Sequence, residues 1–71
     1  MEVMVKTPAG TIIQIKVNSF DSIVTVKNRV REKDQTYQLD DFNLSYCGHI
    51  MIDLQSVADY NIRHESTINM V

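Results

Sequence analysis

The 71 residues predict an α+β domain, one helix lying on one face of a mixed sheet. Three observations carry this. Only one stretch, Ser22 to Asp34, repeats its apolar residues with the period of a helix. Ahead of it, two stretches of strand-like alternation are joined by Pro8-Ala9-Gly10, and behind it further short alternating stretches end at Thr67–Val71. There is no internal repeat, and two Gly with one Pro leave no linker tract, so residues 1–71 form one domain. A chain of this size buries roughly 60% of its unfolded surface, close to the lower limit for an unstapled core.

Along the chain, Met1, Val3 and Val5 alternate with polar or outward residues, and Ile13, Ile15 and Val17 alternate with Gln14 and Lys16. Together they read as a hairpin with those six residues facing the core. Asn18 to Asp21 leads into the helix, where Ile23, Val26 and Val30 share one side and Asn28, Arg31 and Glu32 the other. Ser22 is placed to cap it, with Thr25 where a capping box would carry Glu or Gln. The helix has a β-branched first turn and low intrinsic propensity, so it needs a sheet to pack on. Lys27 lies between Val26 and Val30 on the apolar stripe, where a lone charge is costly unless paired. The polar segment Gln35–Asp41, with Leu39 its sole aliphatic residue, is suited to crossing the domain. Phe42, Leu44 and Tyr46 alternate, Cys47-Gly48 turns, and Ile50 to Ile52 reads as a short apolar strand. Ser56 is placed to cap one turn carrying Val57, Asp59 and Tyr60, and the last strand turns Ile68 and Met70 inward.

Composition narrows the function classes. The net charge is −2 and the seven basic residues are scattered, so no face is expected to neutralise phosphates, and nucleic acid is not an expected partner. One cysteine makes no internal disulfide, no apolar run reaches membrane-spanning length, and Met1 leads directly into strand residues. A cytoplasmic or nuclear location, without membrane partners, is the expectation.

The residues Met1, Val3, Val5, Lys6 and Thr7, then Asp21 with Ile23, Val26 and Lys27, Glu32-Lys33, and Leu44 with Gly48 form a recognisable series. With Asp59-Tyr60-Asn61-Ile62 followed by Glu65-Ser66-Thr67, they make the chain resemble the ubiquitin-like family over its whole length, nearly colinearly. One extra residue falls between the helix and the third strand. The resemblance implies a β-grasp fold with strand order 2-1-5-3-4 packed on the single helix. It also implies an ion pair between Lys27 and Asp53, an inward Tyr60 whose hydroxyl is tied to backbone, and left-handed backbone at Asn61 and Glu65.

Most partners of that family recognise an apolar patch on the outer sheet face, built from a leucine, an isoleucine, a histidine and a valine. The matching residues here are Pro8, Ser45, Asn69 and Val71, so only the valine is kept. Loss of one desolvated apolar anchor, about 1.5 to 3 kcal/mol, weakens such recognition roughly tenfold to a hundredfold or more. Gly48 beside the patch serves the turn after Cys47 and allows close approach. Met4 and Ile12 point outward from adjacent strands and are candidates for a relocated patch. The candidate protein-binding residues are therefore Met4, Pro8, Ile12, Ser45, Gly48, His49, Asn69 and Val71. Of the family's chain-linking lysine positions, four are His49, His64, Thr11 and Arg29 here, and Lys6, Lys27 and Lys33 remain. The family's conjugation tail ends in Gly-Gly, whereas these residues stop at Val71.

Ser45, His49 and His64 carry no motif that would orient a base against a nucleophile, and Cys47, His49 and His64 lack metal-ligand spacing. No enzyme activity, cofactor or metal is expected. The expectation is a noncovalent protein–protein interaction module, a monomer forming part of a longer protein of the ubiquitin/proteasome pathway. Its partners would be other proteins, receptors of that pathway or associated with the proteasome. The alternatives are a covalent modifier whose C-terminal Gly-Gly tail is absent from these residues, and a sulfur carrier, which needs the same tail.

Overall fold

The structure, a computed structural model, describes residues 1–38 and 41–71. Strands β1 (Glu2–Lys6) and β2 (Ile12–Lys16) precede helix α1 (Ile23–Lys33). After it come β3 (Leu44–Tyr46), β4 (His49–Ile50), a 3₁₀ turn (Ala58–Tyr60) and β5 (Thr67–Met70). The sheet order is β2-β1-β5-β3-β4, with β1 parallel to β5 and the other pairs antiparallel. This is the mixed sheet and strand order that the resemblance implies.

The helix forms where its apolar stripe meets the sheet. Ile23, Val26 and Val30 are buried with Val3, Val5, Ile15 and Val17 of the hairpin, Leu44, Ile68 and Met70 of the other strands, and Met51 just after β4. Met1 and Ile13 pack against this core while remaining half-buried. Ser22 Oγ accepts from the Thr25 N–H at 3.3 Å, so the cap holds without an acidic third residue. Arg31 and Lys33 occupy the last turn, where cations suit the helix dipole. The helix start is tied to the 3₁₀ region: the Ile23 N–H donates to Gln55 O and the Val57 N–H to Asp21 O. Ser56 and Asp59 close that turn reciprocally, the Asp59 N–H donating to Ser56 Oγ and the Ser56 N–H to Asp59 Oδ2. Asn61 and Glu65 have φ of 54° and 66°, the left-handed backbone implied for both.

Lys27 is buried, and its Nζ lies 2.6 Å from Asp53 Oδ1 and 5.9 Å from the centre of the Phe42 ring. Tyr37 meets the same ring edge-on, with centroids 6.1 Å apart, so the segment after the helix contributes an aromatic to the core. Within the expected crossing connection, Leu39 and Asp40 lie outside the described residues.

The structure corrects the strand expected at Ile50 to Ile52. Strand β4 ends at Ile50, and Met51 and Ile52 continue the chain outside any strand. Ile50 and Ile52 are 60% and 61% exposed, and Met51 alone turns inward. The cause is the two-residue turn at Cys47-Gly48, which sets the register, so that alternation allows only every second residue to face the core.

The hydrogen-bond phase of β2 follows from the bonds at its two ends. Met1 and Val17 exchange both backbone bonds, and the Thr7 N–H donates to Thr11 O. With the observed register, Val3 and Ile15, and Val5 and Ile13, are therefore the exchanging pairs between them. The N–H and C=O groups of Ile12, Gln14 and Lys16 then point away from β1 along the open side of β2. Amides of Ile13, Ile15 and Val17 should exchange with solvent far more slowly than those of Ile12, Gln14 and Lys16. Amide exchange measured by NMR checks this, and equal protection of the two sets would refute the phase.

Past the end of β4 the chain is tied down by a side chain. The Ile52 N–H donates to Tyr60 Oη at 2.8 Å, the tie of the hydroxyl to backbone that the resemblance implies. Tyr60→Phe should cost about 0.5 to 1.5 kcal/mol, measured by denaturant unfolding, and should speed exchange at Ile52. An unchanged Ile52 amide would show that the hydroxyl does not hold that edge.

Candidate functional site

The outer face of the sheet is the side away from α1. Register places Ile12 opposite Lys6, Lys6 beside Asn69, Asn69 opposite Ser45, and Ser45 opposite Ile50. These five side chains form one row across all five strands, because directly paired residues share a face. Its centre is polar and its two ends apolar, with Ile12 and Ile50 59% and 60% exposed.

Of the candidate residues, Ser45 and Asn69 are brought into direct opposition. Met4 sits in the neighbouring row, between Gln14 and Thr67, and reaches Ile12 only on the diagonal. Met4 is half-buried, so the two do not form an evenly exposed pair. Val71 extends the same face past β5, exchanging both backbone bonds with Asn43, and is 56% exposed. Pro8 lies in the β1–β2 turn, which the Gly10 N–H closes onto Thr7 O. His49 is paired with Tyr46, which packs against the core, so alternation sets His49 on the face opposite to Ser45.

Gly48 is explained by the turn. Cys47 and Gly48 have φ of 53° and 81°, the double left-handed backbone of a two-residue hairpin whose twist matches its strands. A Cβ at Gly48 would meet nothing within 4 Å, so conformation and not space demands glycine. Gly48→Ala should therefore cost about 1 to 2 kcal/mol by thermal or denaturant unfolding, from backbone strain alone. A cost near zero would mean that the turn adopts another form.

Sequence reasoning misses Ile50 as a member of the face. The available signal is the pair of turn residues, since a two-residue loop after Tyr46 puts Ile50 opposite Ser45. It also misses His64, whose Nδ1 accepts from the Glu2 N–H at 3.0 Å and whose Nε2 lies 3.7 Å from Glu65 Oε1. That ring thus ties the start of β1 to the segment before β5, far from Ser45 and His49. Among the described residues, no three His, Cys, Asp or Glu side chains are placed to hold a metal ion. Cys47 is an exposed free thiol in the turn.

The architecture agrees with the sequence model of the ubiquitin family, which matches residues 3–71, nearly the whole chain.

Proposed function

The chain belongs to the ubiquitin family, and from that premise we propose that it is a noncovalent interaction module that presents the outer sheet face to other proteins of the ubiquitin pathway. The row Ile12–Lys6–Asn69–Ser45–Ile50 carries the reading. Its side chains stand on strands whose backbones are hydrogen-bonded to one another, so little ordering entropy is lost when a partner docks. The polar centre and apolar ends suit a partner different from one that inserts a single apolar anchor at the middle. Met4, Gly48, Val71 and the Pro8 turn border the row, while His49 stands on the opposite face.

A denaturing immunoblot of the endogenous protein tests the module against a covalent modifier. One discrete band well above the 8.2 kDa of these residues supports a module embedded in a longer chain. A ladder of heavier bands that a deconjugating protease collapses would overturn that reading in favour of a modifier. Charge placed at both apolar outer positions of the hairpin, Met4→Glu with Ile12→Glu, should release bound partners. Undiminished capture of every partner would remove Met4 and Ile12 from the face.

A further inference from the structure

We propose that the ring of His64 is a proton-controlled latch: neutral, it holds the start of β1 to the segment before β5, and protonated, it releases the Glu2 amide and turns to the Glu65 carboxylate. The latch sits where the ladder between β1 and β5 stops. The exchanging pairs Met1–Val17 and Val3–Ile15 use the backbone groups that face β2, so the Glu2 N–H and C=O point to the β5 side. There the Glu65 N–H donates to Glu2 O and the Met4 N–H to Ser66 O. The chain turns through Glu65, whose φ is 66°, and β5 begins only at Thr67. The Glu2 N–H is bound instead by a side chain, His64 Nδ1 at 3.0 Å.

The chemistry of imidazole makes this bond conditional. A ring nitrogen that accepts from an amide carries no hydrogen, so the neutral ring holds its proton on Nε2. Protonation puts a hydrogen on Nδ1, directed at the Glu2 hydrogen, and the acceptor is lost. That proton comes from solvent without any opening of the core, because the side chain is exposed. It also gives the ring a positive charge 3.7 Å from Glu65 Oε1, a separation too long for a hydrogen bond but within ion-pair reach. The bond to Glu2 is therefore present when pH lies above the ring's titration and is lost as pH falls through it. The other charged groups around this junction are the Glu2 carboxylate, which accepts from Gln14 Nε2 of β2, and Lys16 of β2, the register partner of Glu2. Arg63 precedes the ring in the chain, and the Met1 ammonium donates to Val17 O. Among the described residues, the Glu65 carboxylate is the one within ion-pair distance of the ring.

An NMR titration from about pH 8 to about pH 5 tests the latch. Ring nitrogen shifts are expected to show hydrogen on Nε2 alone at the upper end, and the Glu2 amide shift should move in step with the ring as pH falls. Protection of that amide, corrected for the intrinsic pH dependence of exchange, should fall roughly two- to tenfold, the effect of one modest hydrogen bond. The Met4 and Val5 amides should keep their protection, which separates release of the latch from acid unfolding. His64→Gln keeps an acceptor but does not titrate, so its Glu2 amide should stay protected and flat across the range. His64→Ala should leave that amide unprotected throughout. Glu2→Gln removes the carboxylate whose own titration could move the amide, and the transition should survive it. The proposal is overturned by hydrogen on Nδ1 at the upper end, or by a Glu2 amide that moves out of step with the ring. It is equally overturned if His64→Gln keeps the transition, if Glu2→Gln abolishes it, or if Met4 and Val5 lose protection together with Glu2.

Discussion

Asp53→Ala is expected to destabilise the domain by about 3 kcal/mol, the low end for breaking a buried ion pair. The two partners are unequally placed: the Lys27 side chain is 4% exposed and that of Asp53 is 52% exposed. Removing the carboxylate leaves a buried ammonium group whose charge is offset, among the described residues, by the Phe42 ring 5.9 Å away. Water already reaches Asp53, which is why the figure sits at the low end. The reverse substitution behaves differently. Lys27→Met keeps the aliphatic stem and leaves a carboxylate that water can solvate, so it should lie within about 1 kcal/mol of the parent. Denaturant unfolding of both variants decides the matter. A cost for Lys27→Met as large as that for Asp53→Ala would show that loss of the pair itself, and not a stranded ammonium, sets the destabilisation.

Ser45→Ile should raise affinity for a ubiquitin-binding domain roughly ten- to a hundredfold, the effect of one desolvated aliphatic anchor of about 1.5 to 3 kcal/mol. Ser45 belongs to the polar part of the outer row, with Asn69 on one side and Ile50 on the other. An isoleucine there would join Ile50 into a continuous apolar strip, and a β-branched residue suits a strand. Titration of wild type and variant with the same domain, read by heat or by chemical shift, measures the change. No gain would mean that Asn69 or Lys6, and not Ser45, sets the partner preference of this face.

The legibility of the fold depends on how local each signal is. Helix α1 is readable because Ile23, Val26 and Val30 recur at helical spacing and Ser22 precedes them, both properties of one short stretch. The hairpin is readable for the same reason, through Val3 and Val5 against Ile15 and Val17. The stretch Ile50–Ile52 misleads because three consecutive aliphatic residues have no period. Only the register imposed by the Cys47-Gly48 turn shows that Met51 alone is enclosed. His49 is a candidate residue alongside Ser45, yet strand pairing sets the two on opposite faces.

By itself the sequence determined the helix, the hairpin, the inward positions of the last strand and the Lys27–Asp53 and Tyr60 ties, these last through the family resemblance. Each rests on local periodicity, on a turn residue or on a motif carried by particular side chains. Only the tertiary structure decided which exposed residues stand together. The row from Ile12 to Ile50, the ring of His64 on the Glu2 amide, and the outward phase of the β2 backbone groups all depend on register and on which backbone groups pair. Those quantities join residues far apart in the chain, and no local period encodes them.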